Sequence, residues 1–306
     1  MKTKLMMLSC LIVVFLVNMS LNGDTLGYWG FEEGTGQLLS DQSSNTIPEF
    51  IRGTSASDWM DPEWTDGIRG DYALDFNVIT AFPYGEVCSF VNGYDPELAS
   101  FALVASSFTV EAFINMETAP EEGYSAARYV VSLCDRSGTY ASYWNYAIRL
   151  RTDNGVTYAE GVSRALDGSW PTITSSVELE TGVSYYLAYT YDAATNEAKM
   201  WVDGQSDTTT FTAAPISSAL EHPMFTIGAR APSTSYSAFF DGVIDEVRIS
   251  DTVLTTEEML SYQCGAAGYD RMDFNQDCVV DFEDFAEFAA QWMVCTIPYD
   301  SSCLQY

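Results

Sequence analysis

Residues 273–284, near the C-terminus, carry the most regular set of oxygen-bearing side chains in the sequence. This loop reads DFNQDCVVDFED. Its positions 1, 3, 5, 9 and 12 are acidic or amide residues, and position 7 offers a backbone carbonyl: Asp273, Asn275, Asp277, Val279, Asp281 and Asp284. Calcium takes about six to eight oxygen ligands, which alternate residues of a tight loop supply. The spacing predicts a calcium-binding loop, and the simpler interpretation is a solvated acidic turn before a helix.

The loop leads into a predicted helix that begins near Phe282, since four apolar residues recur at helical spacing: Phe282, Phe285, Ala289 and Trp292. Residues 271–293 resemble a dockerin-type calcium repeat, a half EF-hand, and Asp284 at position 12 fits that family. The resemblance implies calcium as the cofactor and a cohesin as the partner. Three departures weaken the implied partner: Cys278 replaces the usual glycine, Phe282 and Glu283 replace small hydroxyl residues, and the repeat occurs once.

Glycan hydrolysis requires two carboxylates that lie close together. Glu111 and Glu117 fall on one face of a predicted strand, about 20 Å apart at the usual rise per residue. A hydrolytic pair requires a separation of about 5–9.5 Å, so these two cannot act together on one straight strand. His222 is the one histidine, and a surface role suits it better than a catalytic triad. We expect a protein that is not an enzyme.

The N-terminus predicts export. Lys2 and Lys4 precede an apolar run at residues 5–17, and small and polar residues follow to Gly23. This order is typical of a signal peptide at residues 1–23, with an uncleaved anchor as the alternative. We expect no membrane span after cleavage and a secreted or cell-surface location. The formal charge of −30 argues against nucleic acid as a partner.

Cysteine usage agrees with an oxidising compartment. Six cysteines follow the predicted signal peptide, and all are disulfide candidates: Cys88, Cys134, Cys264, Cys278, Cys295 and Cys303. The economical arrangement is one bridge between the first two and two bridges among the last four. The last four allow three connectivities, and the sequence does not choose among them.

The elements between residues 24 and 250 are predicted to be strands. Residues 107–116 alternate apolar and polar, residues 183–191 and 196–202 form a hairpin, and residues 241–250 form a last long strand. Strands without intervening helices predict an all-β, antiparallel sandwich. Thr255 and Glu258 predict a capped helix over residues 257–263. We therefore expect a sandwich domain at 24–262 and a small helical calcium module with disulfides at 263–306.

Five stretches of this domain resemble laminin-G-like, concanavalin-type jelly rolls. They are LGYWGFEEGTG at 26–36, WTDGIRGDYALDF at 64–76, FTVEAFI at 108–114, MWVDG at 200–204 and GVIDEVRI at 242–249. The resemblance implies two antiparallel sheets packed face to face. It also implies that Asp245 holds a structural calcium with carbonyls near Glu32 and Glu33; a salt-bridged aspartate is the equal alternative.

Aromatic residues cluster between positions 124 and 170, where sugar rings could stack on them, although alternation places about half of them in the core. Tyr143, Trp144 and Trp170 lie near turn signals and are the candidates for a glycan-binding surface. The first functional hypothesis is a non-catalytic protein that binds a polysaccharide or matrix glycan on a concave sheet face. The alternatives are an assembly protein whose C-terminal module docks a protein partner, and a polysaccharide-degrading enzyme.

Overall fold

The computed structural model describes residues 25–43, 50–52, 61–79, 87–88, 91–93, 105–123, 126–135, 144–165, 167–215, 223–230, 238–262, 272 and 282–291. The strands in these ranges are β1 (Thr25–Trp29), β2 (Leu38–Leu39), β3 (Phe50–Arg52), β4 (Glu63–Asp66), β5 (Tyr72–Phe76), β6 (Val78–Ile79), β7 (Val87–Cys88), β8 (Val91–Gly93), β9 (Phe108–Met116), β10 (Arg128–Asp135), β11 (Trp144–Asp153), β12 (Val156–Val162), β13 (Thr172–Leu179), β14 (Ser184–Asp192), β15 (Glu197–Val202), β16 (Gln205–Thr210), β17 (Pro223–Ile227) and β18 (Gly242–Ser250).

These strands form two large antiparallel sheets and a ribbon of β6 and β7. Sheet A has the order β16-β15-β14-β9-β18-β5-β4, and β1 also pairs with β18. Sheet B has the order β13-β12-β11-β10-β17-β8-β3-β2. The inner faces of both sheets contribute to one hydrophobic core. The predicted all-β sandwich of the concanavalin A-like, jelly-roll kind is therefore confirmed.

The core forms because side chains alternate across each strand. Trp29 lies at its centre, fully buried, with its ring stacked 4.5 Å from that of Phe50 and 5.2 Å from that of Phe225. On β11, Ile148 and Leu150 point into this core. The intervening residues of β11 consequently point to the outer face of sheet B, which is the surface considered below.

A tight turn sets the register of the hairpin formed by β15 and β16. Asp203 and Gly204 follow β15 with φ angles of 47° and 79°, as a type I′ turn requires. The backbone N–H of Tyr186 donates to the Asp203 carboxylate at 2.7 Å, which fixes the turn against β14. The predicted strands at 107–116, 183–191, 196–202 and 241–250 all form, within a residue of the expected bounds.

The segment after β18 corrects one prediction. Residues 257–263 were expected to form a helix, but the chain forms two 3-10 turns, at Thr256–Glu258 and Leu260–Tyr262. Glu258 still accepts the backbone N–H of Thr255 at 2.8 Å. The turns stay short because Met259 and Leu260 are buried against the outer face of sheet A. This segment is called the covering segment, residues 254–262.

The C-terminal helix α1 (Phe282–Gln291) begins at the predicted residue. Two residues of its predicted apolar face are exposed to solvent, Phe282 at 89% and Phe285 at 62%. Residues 263–271 and 273–281 lie outside the described residues, so the domain boundary near residue 262 stays a prediction. Within the described part of the chain, no helix has the length and apolar character needed to cross a membrane.

Candidate functional site

The predicted calcium loop lies almost entirely outside the described residues. Asp273, Asn275, Asp277, Val279 and Asp281 are not described, whereas Asp284 lies in the first turn of α1. Asp284 is 2% exposed, although its helical neighbours Phe282 and Phe285 face solvent. A carboxylate that turns inward at this position is what position 12 of a calcium loop requires. The prediction for the loop remains a prediction.

Asp245 anchors β18 to the turn before β5. One carboxylate oxygen accepts the backbone N–H of Arg69 at 2.8 Å, and the other accepts that of Glu246 at 2.8 Å. Burial raises the pKa of Asp245 from 3.8 to about 7. The Glu32 carboxylate accepts the backbone N–H of Asp71 at 3.0 Å. The predicted calcium at Asp245, with backbone carbonyls near Glu32 and Glu33, stays a prediction. Among the described residues, no three acidic, histidine or cysteine side chains form a cluster that could hold a metal ion by themselves.

Of the two cysteines of the large domain, only Cys134 has a described side chain. Cys134 is buried on the outer side of β10, with its sulfur 3.7 Å from the Met224 carbonyl oxygen. In the backbone, Cys134 pairs with Met224 of β17, and Cys88 pairs with Val78 in the separate ribbon. The bridge between Cys88 and Cys134 stays a prediction. Cys264, Cys278, Cys295 and Cys303 lie outside the described residues, and their bridges stay predictions.

The three aromatic residues proposed to bind a glycan differ in what the structure shows of their positions. Tyr143 lies outside the described residues, and Trp144 is described only as the first residue of β11, paired with Cys134. Trp170 is half-buried and packs on the outer side of sheet B. The guanidinium of Arg164 lies 4.5 Å from the centre of its indole ring. Of the three candidates, Trp170 is the one that the structure places on a partly open surface.

A tight turn positions Trp170. The backbone N–H and hydroxyl of Ser169 both donate to the Asp167 carboxylate, at 2.8 and 2.6 Å, and these hydrogen bonds lower the pKa of Asp167. Gly168 follows with a φ of 86°, a value that favours glycine. Arg164 donates from Nη1 to the Gly168 carbonyl. The turn therefore holds Arg164 and Trp170 side by side at one end of β12.

A row of polar side chains crosses the outer face of sheet B and is called the arginine row: Arg230, Tyr129, Arg149, Glu160 and Arg151. Cross-strand pairing builds it, since Tyr129 lies opposite Arg149 and Arg149 opposite Glu160. Arg149 and Glu160 are 1% and 2% exposed, and their ion pair is 2.6 Å long. Arg151 donates to the other Glu160 oxygen at 2.7 Å. Each member therefore holds its neighbour in a fixed orientation.

At the β10 end of the row, Tyr129 lies between two cations. The Arg230 guanidinium is 5.6 Å from the Tyr129 ring centre, and the Arg149 guanidinium is 6.0 Å away. Arg149 also donates to the Tyr129 hydroxyl at 3.3 Å. Burial raises the pKa of Tyr129, and the two arginines partly offset that effect. The tyrosine therefore stays protonated at neutral pH.

The row reaches solvent at Arg151, which lies beside a second aromatic residue near the start of β12. Tyr158 lies opposite Arg151 on the neighbouring strand, and both are half-buried. Thr174 is exposed and donates to Glu160 at 3.2 Å. Tyr158 and Arg164 are six residues apart on β12 and its extension, a distance of about 20 Å along the strand. The outer face thus has an arginine and an aromatic side chain near each end of β12.

Sequence reasoning did not identify the arginine row. Among the arginines that the structure describes, four lie on this face: Arg149, Arg151, Arg164 and Arg230. The two-residue spacing of Arg149 and Arg151 on a predicted strand was the available signal, because it places both side chains on one face. Arg230 and Tyr129 could not be assigned to that face without the strand order.

The glutamates considered for hydrolysis have separate structural positions. Glu111 is fully buried on the outer face of sheet A, where it accepts bonds from Arg248 at 2.7 Å and from the Tyr186 hydroxyl at 2.5 Å. Glu117 lies exposed, just after the end of β9. A shallow cleft of about 290 Å³ lies next to Tyr186, lined by Phe113, Tyr186, Asp203, Gly204 and Ser261. Glu111 therefore serves the attachment of the covering segment.

Comparisons with known proteins agree with this architecture. A family model described as the concanavalin A-like lectin/glucanases superfamily matches residues 93–259. No curated protein matches the sequence. Among solved structures, domain 4 of AbnA, a GH43 extracellular arabinanase from Geobacillus stearothermophilus in complex with arabinotriose, superposes with a TM-score of 0.53 at 17% identity. That match covers 79% of this chain and 99% of the arabinanase domain.

Two further structures superpose on parts of this chain. The binding domain of Paraclostridial Mosquitocidal Protein 1 has a TM-score of 0.50 at 13% identity, covering 78% of this chain and 51% of that one. The Ruminococcus gnavus IT-sialidase CBM40 bound to alpha2,3 sialyllactose has a TM-score of 0.45 at 14% identity, covering 53% and 85%. Identities this low describe the fold alone.

Proposed function

The chain belongs to the concanavalin A-like lectin/glucanases superfamily, and on that premise we propose that it is a secreted protein that binds a glycan without cleaving it. The fold serves many activities, so the proposal depends on the site. The observation that carries it is the outer face of sheet B, where the half-buried Tyr158 and Trp170 each lie beside an arginine, at opposite ends of β12. The arabinanase domain, which binds arabinotriose on a similar fold, supports this choice.

The face suits a sugar for three physical reasons. Planar guanidinium and carboxylate groups form paired hydrogen bonds, which match neighbouring hydroxyl groups on a sugar ring. Aromatic faces such as those of Tyr158 and Trp170 offer apolar area to the C–H face of the ring. The Arg149–Glu160 pair holds the polar groups before a ligand arrives, which lowers the entropy cost of binding.

The test is a glycan array with the purified, oxidised protein, followed by affinity measurements on any ligand found. Replacing Trp170 or Tyr158 by alanine should weaken binding about tenfold each, equivalent to about 1.4 kcal/mol. Tyr72→Ala is the matched control, because Tyr72 is an exposed aromatic residue on β5 of the other sheet. Equal loss in the control, or no loss in the other two variants, would place the ligand elsewhere. Release of reducing ends from a bound glycan would show an enzyme instead.

We also propose that the loop at 273–284 binds calcium. Its donors are carboxylate, amide and carbonyl oxygens, which calcium prefers, and the inward position of Asp284 fits this set. When bound, the ion would neutralise the loop carboxylates and hold the loop against α1. Calcium should raise the melting temperature of the tail, and Asp273→Ala with Asp277→Ala should abolish that shift. Asp245→Asn is the control, and a shift lost only in that variant would move the ion to β18.

A second function is favoured by one observation. Phe282 and Phe285 lie exposed on α1, so the C-terminal module has an apolar surface for a protein partner. Because the module resembles a dockerin, purified cohesins are the first partners to test by surface plasmon resonance. Phe282→Ser with Phe285→Ser should abolish any such binding and leave glycan binding intact. Binding that persists in the double variant would assign the contact to another surface.

A further inference from the structure

We infer that the glycan bound on the outer face of sheet B is neutral, and that Glu178 excludes acidic sugars from the Tyr158 end of that face. The inference rests on the proposed function, because it names the ligand class and a specificity-determining residue of the same face. It starts from the side chains around Tyr158 that a ligand can reach.

Tyr158 lies between two neighbouring strands that carry opposite charges. Arg151 lies directly opposite Tyr158 on β11, and Glu178 lies directly opposite it on β13. Side chains that face each other in an antiparallel pair have Cβ atoms about 4.5–5.5 Å apart. A sugar ring that stacks on Tyr158 is therefore within reach of both Arg151 and Glu178.

The charge of Arg151 is already balanced by carboxylates of the protein. Its Nε atom donates to Glu160 at 2.7 Å, and its Nη1 atom lies 3.8 Å from Asp153. Glu160 also pairs with Arg149 at 2.6 Å. When Glu178 is included, three carboxylates accompany two arginines, so negative charge is in excess among the described residues around Tyr158.

Glu178 is the carboxylate that a ligand meets at this end of the face. It is exposed on β13, the edge strand of sheet B, and within the described part of the chain its side chain has no ion pair or hydrogen bond. An ionised carboxylate accepts hydrogen bonds and donates none. Glu178 is therefore suited to accept bonds from sugar hydroxyl groups, and it repels a sugar carboxylate or sulfate.

The strength of this selection follows from the distance between the charges. Repulsion between two unit charges about 4 Å apart in water corresponds to about a fivefold loss of affinity. Charges more than about 8 Å from the ligand are largely screened at physiological ionic strength, and the net charge of −30 acts in the same direction as Glu178. Glu178 therefore decides the local discrimination between neutral and acidic sugars.

The experiment is a glycan array of matched sets, in which each neutral oligosaccharide is printed beside its sulfated form and its uronic acid form. On the full, oxidised protein, each neutral ligand should bind about fivefold or more tightly than its acidic counterparts. Glu178→Gln should remove about that discrimination, and Glu178→Asp should keep it because the charge remains. Salt at about 1 M should reduce the discrimination of the wild type, since the Debye length is then about 3 Å.

Glu63→Gln is the matched control, because Glu63 is also an exposed glutamate on an edge strand, β4 of sheet A. It removes the same unit of charge and should leave the discrimination unchanged. Acidic forms that bind the wild type as tightly as the neutral forms would overturn this inference and leave the proposed function in place. Discrimination that Glu178→Gln retains, or that Glu63→Gln also removes, would overturn the assignment to Glu178. Failure of the folded wild-type protein to bind any sugar on the array would overturn the proposed function itself.

Discussion

Glu111→Gln is the substitution whose effect the structure defines most closely. Glu111 is fully buried and joins three parts of the chain. Its Oε2 atom accepts from Nε and Nη2 of Arg248, each at 2.7 Å. Its Oε1 atom accepts from the Tyr186 hydroxyl at 2.5 Å and from the backbone N–H of Leu260 at 2.8 Å. Glutamine keeps the shape of the side chain and removes its charge.

The expected loss can be worked out atom by atom. The glutamine oxygen can still accept from Tyr186 and Leu260, so those bonds survive. The glutamine amide faces the Arg248 guanidinium, where two donors then meet and the cation loses its buried partner. Removing one member of a buried ion pair costs about 3–5 kcal/mol. For a domain of this size that is a fall of roughly 6–20 °C in the melting temperature.

The assay is thermal unfolding by calorimetry, with Glu197→Gln as the control. Glu197 pairs with Lys199 at 3.0 Å on the surface, where such a pair contributes about 0–1 kcal/mol. The double variant Glu111→Gln with Arg248→Met should recover part of the loss, because the cation that lost its carboxylate is then removed as well. A Glu111→Gln protein that melts within about 2 °C of the wild type would refute the reasoning, as would a double variant as unstable as the sum of its single variants.

Two other predictions concern buried positions. Burial raises the pKa of Asp245 to about 7, so the folded state holds its proton more tightly than the unfolded state. The free energy of unfolding should therefore fall as pH rises from about 4 to 7, by roughly 4 kcal/mol at most. Urea unfolding of the wild type and of Asp245→Asn measures this, because the difference between their free energies of unfolding should change with pH. A difference that stays constant over this pH range would contradict the prediction. Gly161→Ala should cost about 1–3 kcal/mol, because its new Cβ would lie 2.4 Å from the buried Tyr189 ring; the exposed Ser176→Ala on β13 should change stability by less than about 0.5 kcal/mol.

The sequence alone determined the fold class and most of the long strands. Alternation on β9 and the Asp203-Gly204 turn are local signals, since they depend on backbone geometry within a few residues. The start of α1 was also predictable from helical spacing. The covering segment was not, because the burial of Met259 and Leu260 against sheet A replaced the helix that the capping pattern favours.

The candidate site was decided by tertiary structure. Arg149 and Glu160 meet through the register of β11 and β12, while Arg230 reaches Tyr129 from a segment about 100 residues later in the chain. Likewise, Glu111 meets Arg248 across 137 positions of sequence. Periodicity tells which side chains share a face of a strand. The order and register of strands decide which faces become neighbours, and they depend on packing of the whole sandwich.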